Sequence, residues 1–184
     1  MPNRSIGEVM DALDAYLDDF DAITRAALTR YQSYDPLILI ELDRRAQAAC
    51  THCHMVTEAD KRLSERPSVR PIEIKGGSGL KLWLLEDANA VIRFKKQDED
   101  GRTRNYPTKQ ALKFDVGKEL PGLPMPPVRL NVGYFLDETG SFVRCQVAKP
   151  ESKKRVLWCA SVVPHEERRE GERRWRDETR QGRL

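Results

Sequence analysis

The sequence predicts an α+β fold: an N-terminal antiparallel helical hairpin packed with a roughly five-stranded antiparallel sheet, then a charged C-terminal tail. Three features carry that expectation. Apolar residues recur at spacings of three and four as far as Leu63, alternate with polar ones between Leu80 and Val163, and all but vanish after His165. The hairpin takes residues 1–66, the sheet region with one short helix takes 67–164 within the same domain, and the tail takes 165–184. At 184 residues the chain is long enough for one domain with a sizeable core and short for two.

Taken in order, Ile6, Met10, Leu13, Leu17, Phe20, Ala27 and Tyr31 mark one amphipathic helix over residues 5–31, with Ser5 and Glu8 in the form of a capping box. Asp35-Pro36 restarts the chain as N-cap and first helical residue. The second helix follows a heptad-like stripe of Leu39, Leu42, Ala46, Ala49, Cys53, Val56 and Leu63 and ends before Pro67. Strands are expected at Ile72–Lys75, Leu80–Glu86 and Ala90–Lys96, the last two joined by a tight turn at Asp87-Ala88-Asn89. Pro107–Phe114 reads as a short helix, and the prolines of residues 117–127 make that stretch irregular. Val128–Leu136, Ser141–Ala148 and Arg155–Val163 form a meander in which Leu130, Val132, Tyr134 and Leu136 alternate with Arg129, Asn131 and Gly133, one face core and the other polar. Residues 165–184 mix arginines with carboxylates around Trp175 and read as a disordered tail or an exposed helix.

The formal charge of +3 is too small to imply nucleic-acid binding, but its distribution is uneven. Glu8, Asp11, Asp14, Asp18, Asp19 and Asp21 follow one another with no Lys or Arg between them, whereas Arg93–Lys113 is basic. No apolar run reaches transmembrane length and the N-terminus lacks the form of a signal peptide, so the protein is expected in the cytoplasm, away from membranes, with reduced cysteines.

Several motifs touch on chemistry without supporting it. Cys50-Thr51-His52-Cys53-His54 fits the c-type haem attachment pattern, yet that chemistry belongs to exported proteins, and Cys53 falls on the heptad core stripe. Cys50, with Cys53 or His54, shares one helix side and would need Cys145 and Cys159 to complete a zinc site; half-buried free thiols are the simpler reading, so no metal and no cofactor are assigned. Glu73-Ile74-Lys75 has the spacing of metal-dependent nucleases but lacks the preceding strand carboxylate and reads as chance. Gly76-Gly77-Ser78-Gly79 lacks the Lys and helix of a phosphate loop. With no catalytic set in view, the sequence weighs against an enzyme.

The most distinctive stretch is Arg93-Phe94-Lys95-Lys96 with Arg102, Arg104, Asn105, Lys109 and Gln110. On a strand, Arg93 and Lys95 share one face, and with the following loop they could meet phosphates or an acidic protein surface; a solvated edge that resists aggregation is the bland alternative. The frame Val91-Ile92-Arg93-Phe94-Lys95-Lys96, Arg102, Asn105, Thr108, Gln110, Leu120-Pro121-Gly122, Gly133-Tyr134, Leu136-Asp137, Gly140, Pro150 and Trp158 resembles a group of small bacterial proteins of unknown activity. The genes of that group often stand beside regulators that join a helix-turn-helix to a zinc-metallopeptidase domain of the ImmA/IrrE type. The resemblance implies a component of a toxin–antitoxin or phage-related module, toxin-like or regulatory, that acts through a cognate regulator protein. The alternative is a nucleic-acid-binding or RNA-cleaving module using the basic face of residues 93–113. Homodimerisation through the hairpin is compatible with either.

Overall fold

Ser5 opens the first helix reciprocally: the Glu8 amide donates to its hydroxyl at 3.3 Å and its own amide donates to Glu8 Oε2 at 2.7 Å. In the computed structural model of the protein, which describes residues 4–74, 80–103, 108–120, 122–123, 127–152 and 154–179, this capped helix α1 covers Ile6–Ala12. The expected continuous helix over 5–31 is interrupted. The chain tightens into a 3₁₀ turn at Asp14–Tyr16 before α2 (Leu17–Gln32). There the Tyr16 hydroxyl donates to Asp87 Oδ1 at 2.5 Å and meets Ser68 Oγ at 2.7 Å, tying the helical break to the sheet.

The second expected helix is likewise two. α3 (Pro36–Glu41) begins on its Asp35 cap, and Leu42 turns to extended backbone. Asp43 then collects the amides of Arg45 and Ala46 and starts α4 (Arg44–Leu63). The inward stripe of α4 is Thr51, Met55, Ala59 and Leu63, so the heptad reading was rotated: Ala49 and Cys53 are exposed. Thr51 occupies an inward position because its hydroxyl is satisfied by the Gln47 carbonyl at 2.9 Å.

Among the described residues the sheet has seven strands and is mixed, where a roughly five-stranded antiparallel sheet was expected. β1 (Val69–Ile74), β2 (Leu80–Leu85), β3 (Ala90–Gln97), β4 (Val128–Leu136), β5 (Phe142–Pro150), β6 (Val156–Val162) and β7 (Trp175–Asp177) lie in sequence order. Every neighbouring pair is antiparallel except β3 and β4, which run parallel with Arg93 opposite Asn131 and Lys95 opposite Gly133. A parallel pair needs a crossover, and residues 98–127 supply it with α5 (Lys109–Asp115), capped by Thr108.

Two apolar layers follow from the alternation. Trp83, Leu85, Ile92, Phe94, Leu130, Val132, Tyr134, Val147, Ala160 and Val162 meet the buried sides of α1, α2 and α4 on one face. On the other, Ile74, Leu80, Leu82, Leu84 and Val91 meet Phe114, Leu120 and Leu123 of the crossover. β2 pairs with β3 only through Trp83–Leu85, so the two strands part beyond Ile92.

Residues 165–179 are not the expected disordered tail or exposed helix: after one exposed 3₁₀ turn at His165–Glu167 they return to the sheet. Trp175 is buried on the helical side of the sheet, and β7 extends the sheet beyond β6. Arg168 bonds Asp18, and Arg174 bonds both Asp14 and Asp18. The acidic run is thereby partly neutralised from within, with Asp19 taken by Arg66 at 2.8 Å and Asp21 by Arg25 at 2.7 Å. Composition could not show this, because Arg168 and Arg174 find their partners some 150 residues or more away (Arg168 to Asp18, Arg174 to Asp14).

Two outcomes check this architecture. A Cβ on Gly133 would overlap the Lys95 carbonyl oxygen and lie 2.7 Å from its carbon, so Gly133→Ala should destabilise the fold by about 3 kcal/mol or more in urea titrations. The hydrogen bond from Arg168, more than the nearby charges, holds the Asp18 carboxyl below its ordinary range. A depressed folded-state value stabilises the protein above the ordinary carboxylate value and loses that contribution as pH falls through the folded one. Asp18 is 46% exposed, so screening limits the effect to about 1 kcal/mol. Hydrogen exchange at Trp175–Asp177 should lose protection on acidification below about pH 4, and Asp18→Asn should weaken that protection at neutral pH and remove its acid dependence.

Candidate functional site

The face of β3–β4 that carries Arg93, Lys95, Arg129 and Asn131 was expected to be polar and exposed. It is polar and largely buried, because the crossover folds over it. Arg93 is only 1% exposed. Its Nε donates to Asn131 Oδ1 at 2.6 Å and its Nη2 to Asp115 Oδ1 at 2.5 Å, while Nη1 is buried with no hydrogen-bond partner among the described residues. The guanidinium carbon sits 4.7 Å from the centre of the Phe114 ring, and that of Arg129 sits 5.7 Å from it, so one aromatic ring serves two cations. Arg129 Nη1 also donates to the Lys113 carbonyl at 2.8 Å and to that of Phe114, closing the C-terminal end of α5.

Burial dominates the electrostatics. It pushes the Asp115 carboxyl up and the Arg93 guanidinium down, each opposed by the charge of the other. Lys95 is half-buried, and burial followed by the nearby Arg93 charge lowers its ammonium to about 8. Among the described residues no carboxylate forms an ion pair with it. His52, on α4 beside the Phe94 backbone, is pushed down to about 4 by burial and then by Lys95, and is neutral at pH 7. Its Nδ1 is buried with no hydrogen-bond partner among the described residues.

Farther along the same face the loop after β3 folds back on the sheet. Asp98 Oδ1 accepts the amides of Asp100 at 3.1 Å and Arg102 at 2.9 Å. Gly101, at φ +79°, lies so close that a Cβ would stand 2.8 Å from both Ala148 Cβ and Cys159 Sγ. Gln146 Nε2 completes the seal, donating to Gln97 Oε1 at 3.3 Å and to the Asp98 carbonyl at 3.1 Å.

The residues singled out in the sequence are therefore divided. Arg93 is internal and Lys95 and Gln110 are half-buried, while Lys96, Arg102 and Lys109 are exposed. Arg102 pairs with Asp100 at 3.3 Å, and Arg104 and Asn105 lie outside the described residues, as do Lys75 and the glycines at 76, 77 and 79. The sequence reading missed Asp115, Asn131, Phe114 and His52. Asn131 had a signal, a polar residue in alternation on the polar face of β4, but nothing in the alternation marks it as a partner of Arg93. The four cysteines do not converge: Cys145 and Cys159 are buried on opposite sheet faces and Cys53 is exposed on α4. Burial pushes the thiol of Cys159 up to about 12 and that of Cys145 higher still.

A second feature lies at the tip of the hairpin. Leu37, Ile38 and Ile40 of α3 are 71%, 49% and 81% exposed, and no residue of α4 before Thr51 is buried. Comparison with protein-family models, with curated proteins and with solved structures finds no match.

Removing one member of a buried ion pair strands the other. Asp115→Ala should destabilise the protein by about 3–5 kcal/mol, measured by chemical denaturation, and Asn131→Ala by about 1–3 kcal/mol because it leaves Nε unpaired. Equal, sub-kcal effects of both would show that the network is not what holds the crossover down.

Proposed function

We propose that the protein is a cytoplasmic interaction protein, a toxin-like or regulatory component of a toxin–antitoxin or phage-related module that docks a cognate regulator through the α3 tip. The observation that supports this is the exposure of Leu37, Ile38 and Ile40 on one six-residue helix. Isolated apolar residues on a surface need no explanation, but adjacent large aliphatics on a projecting element mark an interaction site. Their placement is enforced locally. Asp35 and Asp43 start separate helices on either side, so the run Leu37-Ile38-Leu39-Ile40 is held out from the core instead of being absorbed into the stripe of α4. The partner fitting it carries an apolar groove that accepts a short helix.

The nucleic-acid alternative draws no support from Arg93, whose guanidinium faces Asp115 and Asn131. The acidic helices also contribute less to steering a partner than their composition suggests, since Arg66, Arg168 and Arg174 lie across Asp14, Asp18 and Asp19.

Co-expression with the adjacent regulator tests the reading. The two proteins should co-purify, and Leu37→Asp with Ile40→Asp should weaken the complex by about a hundredfold or more, given roughly 1.5–3 kcal/mol for each aliphatic buried. Separate migration of the two at micromolar concentration, or loss of self-association alone in the variant, defeats the proposal.

A further inference from the structure

The β3–β4 face holds more positive charge than it compensates. Arg93, Lys95 and Arg129 all lie on it, and among the described residues Asp115 is the one carboxylate that forms an ion pair with any of them. Arg129 satisfies itself on the carbonyls that end α5. Arg93 uses two of its donors on Asn131 and Asp115 and leaves Nη1 unpartnered among the described residues, in a side chain that solvent does not reach. Lys95 follows two residues later on the same face, about 7 Å along the strand, with no ion pair of its own among the described residues.

An arginine with a buried vacant donor beside an uncompensated lysine is an expensive arrangement unless an acceptor fills it. β2 departs from β3 after the Trp83–Ile92 pair, so among the described residues no strand flanks β3 from Arg93 to Lys96 on that side. The fork is closed at one end by Thr103, which bridges to Gln97.

We infer that this fork beneath the crossover binds a small oxyanion, held by Arg93 Nη1 and Lys95 Nζ, with Asn131 and Asp115 orienting the guanidinium. The chemistry fits a phosphoryl or a carboxylate group, and planar, bidentate arginine geometry suits both. The site lies on the sheet face opposite the helical layer and does not depend on docking through α3.

Thermal unfolding of the full chain in phosphate or in succinate, at ionic strength held constant with chloride, tests it. One of the two anions should raise Tm saturably, and which of them does so separates a phosphoryl from a carboxylate ligand. Lys95→Met removes no ion pair and should fold, yet should weaken half-saturation by about tenfold or more. Lys96→Met, on the other face of the strand, should retain the shift, as should the Leu37→Asp, Ile40→Asp variant. The inference is overturned if neither anion gives a saturable rise, or if Lys95→Met keeps the full response.

Discussion

A guanidinium removed from water costs several kcal/mol unless its donors are met and its charge is balanced. Arg93 is removed almost completely, and its partners come from separate parts of the chain: Asn131 from the parallel neighbour strand, Asp115 and Phe114 from the crossover helix. The arrangement fixes the return path of the chain. A crossover that left the sheet would expose Leu120 and Leu123, strand Asp115, and take away the ring on which Arg93 and Arg129 rest. The parallel pairing of β3 with β4 and the second apolar layer thus depend on one charged contact. Gly133 makes the same pairing sterically feasible, because the Lys95 carbonyl occupies the space where any other side chain would begin.

Local pattern was a good guide where each element answers to its own neighbours. Alternation placed β2 to β6 within a residue or two, and the Ser5–Glu8 pair marked the start of α1. It failed where a local chemical group overrode periodicity. Asp43 presents a second N-cap inside what reads as one helix, and a heptad drawn through Leu39 and Leu42 then carries the wrong face into α4. It failed too at β7, three residues long in a charged segment, where Trp175 was the lone apolar sign of a buried strand. The parallel pair needed one more step, since a helix between two strands implies a crossover more readily than a hairpin.

The site was legible as residues and illegible as an environment. Arg93 and Lys95 drew notice as a basic pair on one strand face, and they do share it. Whether that face meets water depends on residues 108–123, whose path cannot be read from the strand itself. The acidic run gave the opposite error: it looked like a field acting on other molecules, while Arg168 and Arg174 take up Asp14 and Asp18 inside the same molecule.

That last arrangement has a consequence in time. The α1–α2 segment leaves the ribosome well before the arginines that complete it, since Asp18 and Arg168 are separated by 150 positions. At roughly 5–20 residues per second, synthesis leaves the interval at about eight to thirty seconds. During it the nascent helices expose their carboxylates, and the groove that will receive Trp175 stands empty. Like charges along α1 and α2 keep the unfinished hairpins of neighbouring polysomes apart, and the closing β7 removes that protection only when the sheet it seals is already built.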